Sequence, residues 1–96
     1  MKNQLAKLSF AVSPEASAST HDKGIVILHA GSGCIYGSNE IGASIWRSLE
    51  EKLATQVITQ EISKQYELAD EVAHSHVSRF VAELEQHGLI ERQGAL

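Results

Sequence analysis

The feature that most constrains this chain is a change of hydrophobic period across Ser38-Asn39. Upstream, Gly24-Ile25-Val26-Ile27-Leu28-His29 is a strand-like run rich in β-branched residues. Ala30-Gly31-Ser32-Gly33 follows as a tight turn, because glycine accepts the positive φ that hairpins need, and Cys34-Ile35-Tyr36-Gly37 completes the hairpin. Downstream, Ile41, Ile45, Trp46 and Leu49 recur at helical spacing on one face, ending near Glu51. Ser38 or Asn39 can cap that helix, since either side chain can accept a bond from a first-turn amide. A β run therefore passes directly into an amphipathic helix that carries the only tryptophan, Trp46.

The rest of the chain divides the same way. Leu8-Ser9-Phe10-Ala11-Val12 alternates like a half-buried strand. Ser13–Lys23 holds Pro14, several serines and Asp22 and reads as a loop. After the first helix, Thr55 is placed to cap a second, with Val57, Ile58, Ile62 and Tyr66 facing inward. Asp70 opens a third helix that runs to about His87, and Gly88 supplies the left-handed residue that stops it. Leu89-Ile90-Glu91-Arg92 is a short final strand or a tail. The expected fold is α+β and winged helix-turn-helix-like: a three-stranded antiparallel sheet followed by three helices, in one domain spanning residues 1–96.

Along the third helix, His76, His87, Phe80, Ala73, Leu84, Val77, Gly88 and Val81 occupy consecutive angular slots. The arc spans roughly 140°, wider than the ~100° stripe a core-facing helix needs. Two arrangements account for that width. The helix is wedged between the sheet and other helices, or one edge of the arc lines a groove open to a partner.

Composition removes several function classes. The 96 residues suffice for one core. No apolar run nears the ~18 residues of a membrane span, and no signal-peptide stretch follows Met1-Lys2-Asn3-Gln4. No membrane association and a cytoplasmic location are expected. The lone Cys34 cannot form an internal disulfide. A net charge of −4 repels a polyanion, so no nucleic-acid partner is expected. His74 and His76, two residues apart on a helix, point about 160° apart and cannot share a metal ion. Cys34 with His29 lacks a carboxylate to orient the histidine, and no phosphate-binding glycine loop precedes a helix. No metal, no cofactor and no enzymatic activity are expected. A winged-helix DNA-binding or transcription-associated module is the alternative. Its recognition helix would be the third, which sets Asp70, Glu71, Glu83 and Glu85 against the single Arg79.

In order along the chain, the hairpin before Tyr36, the Tyr36-to-Asn39 step, Gly42, Ile45-Trp46, the helices near Val57–Tyr66 and Val72–His87, and the closing Gly88-Leu89-Ile90 resemble the PqqD-like superfamily. Ser38 departs from the pattern, because such domains usually carry leucine before the asparagine. The resemblance implies a peptide-recognition domain. It would bind the leader segment of a ribosomally made precursor peptide and deliver it to a modifying enzyme: a radical SAM enzyme, a cyclase or, in the lasso-type stand-alone form that this chain is most similar to, a leader peptidase. It also implies a site. The leader would add as a strand beside Cys34, Ile35, Tyr36 and Gly37, with His76, Val77, Phe80 and Val81 as the opposite wall. Trp46, Ile45 and Leu49 are assigned to the core. The chain is expected to be a monomer or weak dimer.

Overall fold

A computed structural model describes residues 9–93. The elements are β1 (Ser9–Val12), β2 (Ala16–His21), β3 (Gly24–His29), β4 (Cys34–Asn39), α1 (Glu40–Glu50), α2 (Thr55–Gln65), α3 (Asp70–Gln86) and β5 (Ile90–Gln93). Strands β2, β3 and β4 form an antiparallel three-stranded sheet in that order, and the three helices follow it. This is the mixed α+β arrangement expected from the sequence. The membership of the sheet differs from expectation in one strand. The Ser9–Val12 strand pairs instead with β5, from Ser9↔Gln93 to Val12↔Ile90. Leu8, the expected start of that strand, lies outside the described residues.

The third sheet strand comes from the segment read as a loop. β2 is built from Ala16-Ser17-Ala18-Ser19-Thr20-His21, small and polar residues that are exposed almost throughout. Such a run has no apolar alternation to announce a strand. Backbone pairing to β3 across the Asp22-Lys23 turn holds it in place instead.

β3 shows the alternation cleanly: Ile25 and Ile27 are buried while Val26 and Leu28 face out. The two isoleucines pack with Ile45, Trp46 and Leu49 of α1, Ile58 and Ile62 of α2, Leu84 of α3, and Leu89 and Ile90 in one cluster. Each fully buried side chain of this size contributes about 1.5–3 kcal/mol relative to exposure. Trp46 is 2% exposed, and its indole N–H donates to Glu50 Oε2 at 3.0 Å one turn on. The Tyr66 hydroxyl lies 2.7 Å from Ser44 Oγ and 3.2 Å from the Glu40 carbonyl, joining the end of α2 to the start of α1. Val57, expected to face inward, is exposed on α2.

Asn39, not Ser38, caps α1: its Oδ1 accepts from the Gly42 amide at 3.0 Å. Thr55 is the first helical residue of α2, with Ala54 before it as a cap that makes no side-chain bond. All three helices end alike. The amides of Leu53, Leu68 and Leu89 return to the carbonyls of Ser48, Ser63 and Leu84. In each case the preceding residue, Lys52, Glu67 or Gly88, has positive φ.

Candidate functional site

β4 lies at the border of the sheet, so among the described residues one of its edges has no strand beside it. The register identifies which groups face that edge. The Ala30 amide donates to the Glu15 carbonyl at 2.9 Å, extending the β2–β3 ladder just beyond the Ala16↔His29 pair. Because bonded and non-bonded pairs alternate in an antiparallel ladder, Gly24, Val26 and Leu28 bond to β2, leaving Ile25, Ile27 and His29 to bond to β4. Their partners are Ser38, Tyr36 and Cys34. The amides and carbonyls of Ile35 and Gly37 therefore point to the open edge. Neither residue carries a charge that would block strand addition.

Beside this edge, α3 forms the wall of a groove of about 220 Å³. Tyr36 is its hinge point. The ring lies 5.9 Å from Phe80 and 5.6 Å from His87, both tilted. Its hydroxyl donates to Glu83 Oε1. Burial, that hydrogen bond and the negative charge of Glu83 together push the Tyr36 hydroxyl up to about 12. The bond thus fastens β4 to α3 across the floor. His76, Arg79 and Glu83 line the α3 side, with Ser38, Asn39 and Gly42 opposite. A Cβ at Gly42 would lie 2.2 Å from Ser38 Oγ and 3.1 Å from Phe80 Cε1, so the absence of a side chain there lets α3 approach the corner.

The residues named from sequence fall into three places. Tyr36, Phe80 and His76 meet in the groove. Ile35 and Gly37 offer backbone to the open edge, while Cys34 sits next to the turn, its amide 3.2 Å from Ser32 Oγ. Val77 and Val81 do not join them. They are buried in the core and border a separate, larger groove of about 820 Å³ between α2 and α3, with Phe10 and Arg92. The reason is angular: Val77 and Val81 lie about 60° and 100° round the helix from Phe80, on the side away from His76. The helix is wedged and grooved at once, with opposite ends of the wide arc serving different faces. Arg79 and Glu83 were missed. They lie just beyond His76 on the polar shoulder of the arc, a position that helical spacing alone could have flagged.

The other face of the sheet is also distinctive. Ile35 is 70% exposed, and Leu28 and Val26 are 42% and 40% exposed. The register sets Leu28 beside both Ile35 and Ser17, and Val26 beside Gly37 and Ser19. The surface is apolar with no charge among these residues. No group of three or more metal-ligating side chains occurs among the described residues, and no described helix is long and apolar enough to cross a membrane.

Residues 24–90, from the first residue of β3 to the first of β5, match the family described as Coenzyme PQQ synthesis protein D (PqqD). The chain belongs to the PqqD family. Two solved structures share the fold. One is TbiB1 in complex with the TbiA(beta) leader peptide, with TM-score 0.77 and 25% identity, covering 84% of this chain and 94% of that one. The other is lasso peptide synthetase B1 complexed with the leader peptide, with TM-score 0.77 and 25% identity, covering 86% and 98%. Comparison with curated protein sequences gives no significant match. In this PqqD-family chain, the hairpin, the Tyr36–Asn39 step and the Ile45-Trp46 pair all fall inside the matched range.

Proposed function

We propose that this chain, taken as one recognition domain over residues 1–96, binds the leader segment of a ribosomally made precursor peptide and delivers the peptide to a partner enzyme. The observation that carries this reading is the open β4 edge at Ile35 and Gly37 beside a groove walled by α3. An extended peptide adding there gains backbone bonds from the edge, and the groove reads its side chains. Two relatives of the same fold are bound to leader peptides, which supports the same ligand class here.

The chain's own part is binding without chemistry. Tyr36 is held as a donor to Glu83 rather than prepared as a nucleophile or base. Delivery is supported by the apolar outer face of Val26, Leu28 and Ile35, which a leader peptidase of a lasso-type pathway would cover. A cyclase or radical SAM enzyme is the other class of client. The acidic residues of α3 disfavour nucleic acid. The protein would act as a monomer or weak dimer in the cytoplasm.

Titration of the labelled cognate leader into the purified protein should give saturable binding, with NMR shifts at Ile35, Gly37, His76 and Phe80. Absence of saturable binding would sink the proposal. Saturable binding with shifts confined to the α2–α3 groove would relocate the site.

A further inference from the structure

We infer that Arg79 reads an acidic residue of the bound peptide, and that the Tyr36–Glu83 hydrogen bond keeps Arg79 free to do so. The inference rests on the peptide-binding reading above and deepens it.

Arg79 is the only lysine or arginine on α3, and it is exposed at the groove. Glu83 lies four residues further on, the spacing at which opposite charges on a helix usually pair. Here they do not. The only ion pair among the described residues is Arg92–Glu85 at 2.8 Å, and neither Arg79 nor His76 has a partner among them. Glu83 is engaged elsewhere, accepting the Tyr36 hydroxyl across the groove floor. The tyrosine therefore holds the one carboxylate that would otherwise neutralise the arginine.

The result is a guanidinium with no direct partner among the described residues, beside a Glu83 carboxylate turned to Tyr36, in a chain of net charge −4. The other acidic residues of the helix are placed away from it: Asp70 and Glu71 sit in the first turn, and Glu85 is paired with Arg92. A guanidinium accepts a carboxylate through two parallel N–H bonds, so the fork at Arg79 suits aspartate or glutamate better than an amide and repels lysine or arginine. Ser38 and Asn39 across the groove and His76 on the helix add further polar contacts. Side chains alternate along a strand, so only one register position of a peptide added to β4 comes opposite Arg79. The acidic preference should be confined to that position.

The test is display selection of short random peptides on the purified protein and its variants. On the wild type, selected peptides should be enriched in aspartate or glutamate at one position relative to the hydrophobic anchors. R79Q should abolish that enrichment. R79E should turn it toward lysine or arginine and weaken an acidic selected peptide about 10-fold in Kd. Y36F should blunt the acidic preference by releasing Glu83 to pair with Arg79, and the double variant Y36F/E83Q should restore it. A merely structural role for Tyr36 predicts no such restoration. Peptides selected without an acidic position, or a preference unchanged in R79E, overturn the inference while leaving peptide binding intact. If the wild type selects no peptide at all, the peptide-binding reading itself falls.

Discussion

Replacing Ile35 by proline isolates the open edge from everything else in the fold. The Ile35 amide points away from β3, so its loss removes no bond of the sheet, and the side chain lies on the outer face, 70% exposed. Proline is tolerated at such edge positions and excluded from paired ones. The folded domain should keep its helical circular dichroism and lose at most about 1 kcal/mol. Peptide binding should suffer more. One backbone bond contributes a net ~0.5–1.5 kcal/mol, and the peptide carbonyl left facing the ring adds a desolvation cost of about 1–3 kcal/mol. Taking the lower halves of both ranges gives about 1.5–3 kcal/mol, or roughly 10- to 150-fold in Kd. Ile35→Thr is the control, since it keeps the amide and the strand preference. Fluorescence anisotropy with the cognate leader reads both variants, alongside thermal melts. The reasoning is refuted if Ile35→Pro is folded and binds like wild type. It is equally refuted if Ile35→Thr loses as much, because the side chain would then carry the contact.

Three further outcomes follow from the groove. Gly42→Ala improves helix propensity by about 1 kcal/mol, but its Cβ would meet Ser38 Cβ at 2.7 Å. Overpacking of this kind costs about 1–3 kcal/mol, so urea denaturation should show a net loss or, at best, no gain. Phe80→Ala should destabilise by about 3–5 kcal/mol, since the ring is 6% exposed and packs on Tyr36, which makes it a poor binding probe. The raised Tyr36 value means that the folded protein holds a proton the unfolded chain releases, so its contribution is full below the ordinary value of 10.0 and is lost as pH rises toward about 12. Alkaline absorbance titration should show Tyr36 ionising late, moved part of the way back toward 10.0 by Glu83→Gln.

Much of the scaffold was legible because burial writes a period into the chain. Ile25 and Ile27 alternate with Val26 and Leu28, and Ile45, Trp46 and Leu49 recur at helical spacing, so β3 and α1 could be placed from residue types. β2 could not, because strand pairing through backbone groups leaves no trace in a run of alanine and serine. The ends of α1 near Glu51 and of α2 at Tyr66 were legible, but the left-handed residues that close them were not. Lys52 and Glu67 adopt the left-handed conformation that Gly88 takes at the end of α3, and only the glycine is a visible signal. The partner of β1 was equally hidden, since the pairing of distant strands depends on how the helices return the chain and not on either strand's composition.

The site was legible in part, for a related reason. A wide apolar arc on a helix says that more than one surface is covered, but not which edge of the arc meets which neighbour. The groove proved to take the edge that grades into polar residues, and so Arg79 and Glu83 belong to it while Val77 and Val81 do not. Ser38 sharpens the point. It lines that same groove, directly over Gly42. A leucine there would project four carbons into the space, covering part of the floor with apolar surface. Serine leaves the groove deeper and more polar, beside an arginine without a partner among the described residues. A framework residue such as Trp46 holds the fold, whereas on the peptide-binding reading proposed above a groove residue such as Ser38 would bear on which peptide is chosen.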